Sequence, residues 1–92
     1  MQVKEPIYRV RTVNQNTKEV KYHFQSKSER DARAFFKSMF PSVMSLKSYQ
    51  EIQKDTKKYT EIALVKTFKN FPYEFPIWKG FVETKDLKME NR

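Results

Sequence analysis

The chain has no cysteine and, in 92 residues, only one histidine and one glycine. Without a thiol there is no disulfide, no thiolate metal site and no cysteine nucleophile. With His23 as the sole imidazole and no Asp-x-Asp-type loop, the ligand sets of zinc and calcium sites are missing too. Glu29 and Asp31, two apart on an expected helix, point to different faces and do not chelate together. Gly80 alone cannot build a glycine-rich phosphate loop. No metal or cofactor is therefore expected, and most routes to catalysis are closed. Residues 1–6 lack the apolar core of a signal peptide. The longest uninterrupted apolar run, residues 62–65, is far too short for a bilayer. Since small secreted domains usually rely on disulfides, the expectation is a soluble cytoplasmic protein with no membrane partner.

What the chain has instead is positive charge and aromatic rings. Nineteen Lys and Arg face eleven Asp and Glu, a formal net charge of +8. The excess is uneven: residues 1–27 hold six basic and two acidic groups, whereas residues 72–92 hold four of each. Such a field draws polyanions and speeds encounter with them. Leu, Ile, Val and Phe account for 22 of 92 residues, a thin core. Eight Phe, five Tyr and one Trp make up the shortfall, each burying more area than an aliphatic side chain. The length fits a single domain over residues 1–92, with frayed ends at 1–6 and 86–92. The excess of lysine over arginine points to an AT-rich bacterial or phage genome.

Residues 7–13 alternate, with Tyr8, Val10 and Thr12 on one side and Arg9 and Arg11 on the other. Residues 20–25 alternate again, Val20, Tyr22 and Phe24 opposite Lys21, His23 and Gln25. Two period-2 runs joined by an Asn-containing turn predict a hairpin, its outer face carrying Arg9, Arg11, Lys21 and His23 together. Ser28 is placed to cap a helix in which Ala32, Phe35, Phe36, Met39 and Phe40 form the buried stripe. Pro41 ends it. The opposite face shows Arg30, Arg33 and Lys37.

Residues 43–54 fit either period: Met44, Leu46 and Ile52 suit a strand, while Val43, Leu46, Tyr49 and Ile52 recur every three residues. Residues 59–68 read as a strand through Ile62, Leu64 and Phe68, with 55–58 as the preceding turn. A second hairpin over 43–68 is the expectation. The order ββαββ predicts an α+β fold, a four-stranded antiparallel sheet with one amphipathic helix on one face. The segment 71–81, with five aromatics, cannot be a regular helix through its two Phe-Pro steps. It is expected to wrap the sheet and complete the core.

The first functional expectation is a small, non-enzymatic, basic nucleic-acid-binding protein, an accessory factor of a phage or mobile element. Arg9, Arg11 and Lys21 on the first hairpin are its candidate contacts, with Arg30, Arg33 and Lys37 on the helix and Lys57 and Lys58 at a hairpin tip. Lys54, Lys66 and Lys69 extend this charge. Binding of DNA or RNA through phosphates is strongly salt-dependent. An alternative is an inhibitor or adaptor docking on an acidic protein, with Tyr73, Phe75 and Trp78 as hot spots. A third is a metal-independent ribonuclease with His23 as acid or base beside Arg9, Arg11 and Lys21. Either hairpin edge can also pair across a homodimer, so monomer and dimer both remain open. The step Phe24-Gln25-Ser26-Lys27, followed by Ala32 and Phe35, resembles the strand-to-helix step in the arm-binding domain of tyrosine-type integrases. The likeness covers about a third of the chain, with one strand fewer before the helix and no glycine in the turn, and assigns no family.

Overall fold

Alternating side chains build β1 (Pro6–Asn14) and β2 (Val20–Ser26) into the expected antiparallel hairpin. Asn14 organises the turn: its Oδ1 accepts hydrogen bonds from the backbone N–H groups of Asn16 and Thr17 at 2.8 and 3.1 Å. Lys18 closes that turn in the left-handed region, at φ 67°. Ser28 caps α1 (Glu29–Ser38), accepting a hydrogen bond from the Asp31 N–H at 3.2 Å. Ala32 and Phe36 are buried, and Phe35 lies flat on Phe24 with centroids 4.7 Å apart. Met39 and Phe40, expected in the last turn, lie past the helix end at Ser38 but remain buried. The computed structural model describes residues 5–40 and 46–87. The helix stop at Pro41, the strand positions Val43 and Met44, and most of the ends expected to fray lie outside that range. Within it, Pro6 already belongs to β1, and Asp86 to a 3-10 turn at Thr84–Asp86.

The sheet is four-stranded and antiparallel throughout, in the order β2-β1-β3-β4, with β3 at Tyr59–Phe68 and β4 at Phe75–Glu83. The class is as expected, but the fourth strand comes from elsewhere. Of residues 43–54, the described part forms a single bridge at Lys47 and then α2 (Tyr49–Ile52), which runs into a 3-10 stretch at Gln53–Lys58. The cause is a Ser48–Glu51 capping box. The Ser48 hydroxyl accepts from the Glu51 N–H, and the Glu51 carboxylate accepts from the Ser48 N–H. The aromatic C-terminal segment becomes the strand instead. Pro76 is tolerated there because β4 is the last named strand and bulges at Ile77, the residue skipped between the Leu64–Trp78 and Val65–Pro76 pairs. Lys47 then covers the outer side of β4 through two backbone hydrogen bonds with Phe81, at 2.8 and 2.9 Å.

α1 packs on the sheet face formed by Tyr8, Val10, Ile62, Leu64 and Val82, with Trp78 and Phe24 at its margins. Each fully buried Leu, Ile or Phe there contributes roughly 1.5–3 kcal/mol. The other face is uncovered by helix α1. Its small residues Ala63 and Val65 are nonetheless fully buried. In register Ala63 lies between the long side chains of Arg11 and Lys79, and Val65 between Arg9 and Pro76.

Candidate nucleic-acid interface

The first predicted cluster is divided by one extra residue. Val10 pairs with Phe24 and Arg11 with Tyr22, so His23 is a bulge in β2. Past the bulge the side chains exchange faces. Tyr22 joins Arg9 and Arg11 on the open face, while Lys21, opposite Thr12, turns to the other side. His23 follows it, its Nε2 sharing a hydrogen bond with Thr12 Oγ1 at 2.8 Å. The expected grouping of Arg9, Arg11, Lys21 and His23 on one face is therefore corrected to Arg9, Arg11 and Tyr22. The ribonuclease scheme loses its geometry with it, because the only imidazole faces away from both arginines. Burial, and then the charge of Lys21, lower the His23 pKa below its ordinary value.

Arg11 is a structural group. Its Nε donates to Glu74 Oε1 at 2.9 Å and its Nη1 to Glu61 Oε1 at 3.0 Å, leaving the side chain 16% exposed. Tyr22 donates its hydroxyl hydrogen to the other Glu74 oxygen at 2.8 Å. Burial opposes the Glu74 charge, but the hydrogen bonds from Arg11 and Tyr22 outweigh it and hold the carboxyl below the ordinary range. Burial likewise opposes charge on Arg11, and the two carboxylates more than compensate. Arg9 stays freer: it bonds Gln25 at 3.0 Å and lies 5.6 Å from the Tyr22 ring centroid, with no carboxylate partner among the described residues.

On α1, Arg30 is exposed. Arg33 is held by Glu29 at 2.7 Å and lies over the Trp78 ring at 4.5 Å, where Lys37 joins it at 5.2 Å. Phe36 meets the same indole from the core, at 5.3 Å between centroids. Trp78 is thus half-buried beneath two cations. Lys57 and Lys58 are exposed on the 3-10 stretch, and Lys58 pairs loosely with Asp55 at 3.7 Å.

At the β3–β4 turn the exposed aromatics gather. Phe71 stacks on Phe75 with centroids 5.6 Å apart and planes 9° from parallel, and Tyr73 meets Phe71 edge-on at 5.4 Å. Phe68 meets Phe75 edge-on at 6.3 Å, and Lys66 Nζ lies 5.6 Å from the Phe68 centroid. The sequence marks Tyr73 and Phe75 as contacts and places Phe71 only in the aromatic segment 71–81; Phe68 and Asn70 are added by the structure. Asn70, a turn-forming residue type between Phe68 and Phe71, is the signal that marks the turn. Among the described residues, no group of three His, Asp or Glu side chains is arranged to hold a metal. No described helix is long and apolar enough to cross a membrane. Comparison with protein-family models, curated protein sequences and solved structures returns no match.

Proposed function

We propose that the protein is a non-enzymatic nucleic-acid-binding protein whose contacts are chiefly to phosphate. The observation that carries this reading is how its ion pairs are distributed. Carboxylates are committed to Arg11, Lys27, Arg33, Lys58, Lys79 and Lys85, which leaves Arg9, Lys18, Lys21, Arg30, Lys37, Lys47, Lys54, Lys57, Lys66 and Lys69 without a carboxylate partner among the described residues. Unpaired cations of this kind are the ones that displace condensed counterions from a nucleic acid. The contact set is accordingly Arg9, Arg30 and Lys37, extended by Lys57 and by the lysines at the β3–β4 turn. Arg11 and Arg33 serve the fold. An accessory factor of a phage or mobile element is the setting we infer from the lysine-rich composition, acting in the cytoplasm, where a small cysteine-free domain is expected.

The test is fluorescence anisotropy of labelled DNA and RNA, single- and double-stranded, titrated across a range of salt concentration. Binding that persists at near-physiological salt is expected, with log affinity falling linearly against log salt. Each lost phosphate contact should reduce that slope by about 0.9 on duplex DNA or about 0.7 on a single strand. Arg30→Glu with Lys37→Glu should weaken binding and flatten the slope by about two contacts. Binding by the unaltered protein that vanishes for every nucleic acid at physiological salt would sink the proposal.

A further inference from the structure

The β3–β4 turn carries the chemistry of a nucleotide site. Phe68, Phe71 and Phe75, with Lys69 and Asn70, line an open cleft of about 280 Å³. Phe71 and Phe75 stand parallel, Phe68 closes one side edge-on, and Tyr73 extends the aromatic surface beyond Phe71. These rings are unusually open for a chain with so thin a core: Phe71, Tyr73 and Phe75 are 46%, 64% and 44% exposed. The turn between the strands sets their direction. Asn70 adopts the left-handed conformation (φ 69°), and the Phe71 N–H donates to the Phe68 carbonyl at 3.1 Å. Asn70 thereby brings an amide, both donor and acceptor, to a cleft otherwise made of ring faces and one ammonium.

Charge selects the occupant. Between Glu61 and Glu83 the only carboxylate is Glu74, and it is consumed on the open face of the sheet by Arg11 and Tyr22. Lys69 in the cleft and Lys66 beside Phe68 have no acid partner among the described residues, so the surroundings are positive and suited to an anion. A partner that is anionic, has flat apolar faces and offers hydrogen-bonding edges is a nucleotide. Base faces are accessible in a single strand and hidden within the stack of a duplex.

We propose that this cleft is a base-stacking site for single-stranded nucleic acid, with bases on the Phe71, Tyr73 and Phe75 rings and phosphates on Lys66 and Lys69. The inference rests on the nucleic-acid reading above and deepens it from phosphate contact to strand selection.

The test compares a labelled oligothymidine strand with the corresponding duplex at near-physiological salt. The proteins are the unaltered chain, Phe71→Ala with Tyr73→Ala, and Arg30→Glu with Lys37→Glu. Phe71 and Tyr73 lie outside the buried core, so their truncation spares the fold, which circular dichroism verifies. The single strand should bind at least about tenfold more tightly than the duplex, and the aromatic variant should lose roughly tenfold or more on the single strand alone. Equal binding of both forms, untouched by the aromatic variant but lost in Arg30→Glu with Lys37→Glu, overturns the stacking site while the nucleic-acid function stands. Absence of binding to either form overturns both. Competition by polyglutamate as effective as competition by the single strand also overturns the stacking site, since it shows recognition of charge without bases.

Discussion

Arg11 and Glu74 are 63 positions apart in the chain and meet at 2.9 Å. Their contact fastens the turn between β3 and β4 to the middle of the sheet, and Tyr22 on β2 completes the fastening through the second carboxylate oxygen. Glu61 on β3 holds the other side of the guanidinium, with Lys79 on β4 reaching it at 4.0 Å. One chain of polar contacts therefore crosses all four strands on the face that α1 leaves open. It also places the aromatic turn, since Glu74 lies between Tyr73 and Phe75.

Removing Glu74 should cost more than an ordinary surface carboxylate. Glu74→Ala leaves Arg11, which is largely shielded from water, with one acid partner and Tyr22 with none. A loss of about 1–3 kcal/mol is expected from urea denaturation, against ~0.5 kcal/mol for a typical surface substitution. Arg11→Met and the double variant complete a cycle whose coupling should be roughly 0.5–3 kcal/mol. Strictly additive losses would show that the two side chains do not interact in solution.

Stability should fall with acid in two separable steps. His23 has a lowered pKa in the fold, so between that value and about 6.5 the unfolded chain binds more protons. Stability is then full above about pH 6.5 and drops as the pH falls toward the folded value. Glu74 also has a lowered pKa, so its contribution is complete above about pH 4.3 and is lost as the pH falls through its folded value. Urea midpoints measured across this range should show both steps, and His23→Gln should abolish the upper one alone. An imidazole NMR titration with a midpoint at or above about 6.5 contradicts the assignment.

Gly80 has a packing reason to be glycine. A Cβ at this position lies 2.6 Å from the Leu46 Cβ, an atom fixed close to the backbone and unable to swing away. Leu46 precedes Lys47, whose two backbone bonds to Phe81 close the edge of β4. Gly80→Ala is expected to cost about 1–3 kcal/mol through overpacking, lowering the melting temperature by roughly 4–8 °C for each kcal/mol. An unchanged melting temperature means that residues 46–47 do not seal this edge.

Periodicity carried the sequence reading where packing obeys it. Tyr8, Val10, Ile62 and Leu64 alternate as strands and Ala32 and Phe36 repeat as a helix, because each faces one core. A single residue that changes the register escapes that periodicity. The bulge at His23 has no glycine or proline to announce it, yet it reverses Lys21 and Tyr22 and so redistributes the candidate contacts. Around residues 43–54 apolar spacing fits strand and helix alike, and the local Ser48–Glu51 capping box supplies the helix start that decides against the expected strand. The Phe-Pro steps concealed β4, since a strand containing Pro76 is acceptable only at an edge or a bulge, and neither is visible in one dimension. The role of Arg11 was equally hidden. Charge composition made it a phosphate ligand, and only the fold brings Glu61 and Glu74 to it.

Trp78 offers the most direct optical check on the helix–sheet seam, because it is the only tryptophan. Phe36 packs against the indole from the core, while Arg33 and Lys37 cover it at 4.5 and 5.2 Å. Emission should be intermediate between buried and solvated indole, with partial quenching by acrylamide. Arg33→Ala removes the nearer cation and frees Glu29, and should cost about 0.5–1 kcal/mol for the cation–π contact at a partly exposed site. It should also shift the emission to the red and increase quenching. Lys37 gives this probe a functional use. A phosphate that engages Lys37 draws the ammonium from the ring, so nucleic acid bound along α1 should change Trp78 emission in the unaltered protein. Lys37→Ala should remove most of that response while retaining the fold. A response that survives Lys37→Ala unchanged places the bound strand away from the helix.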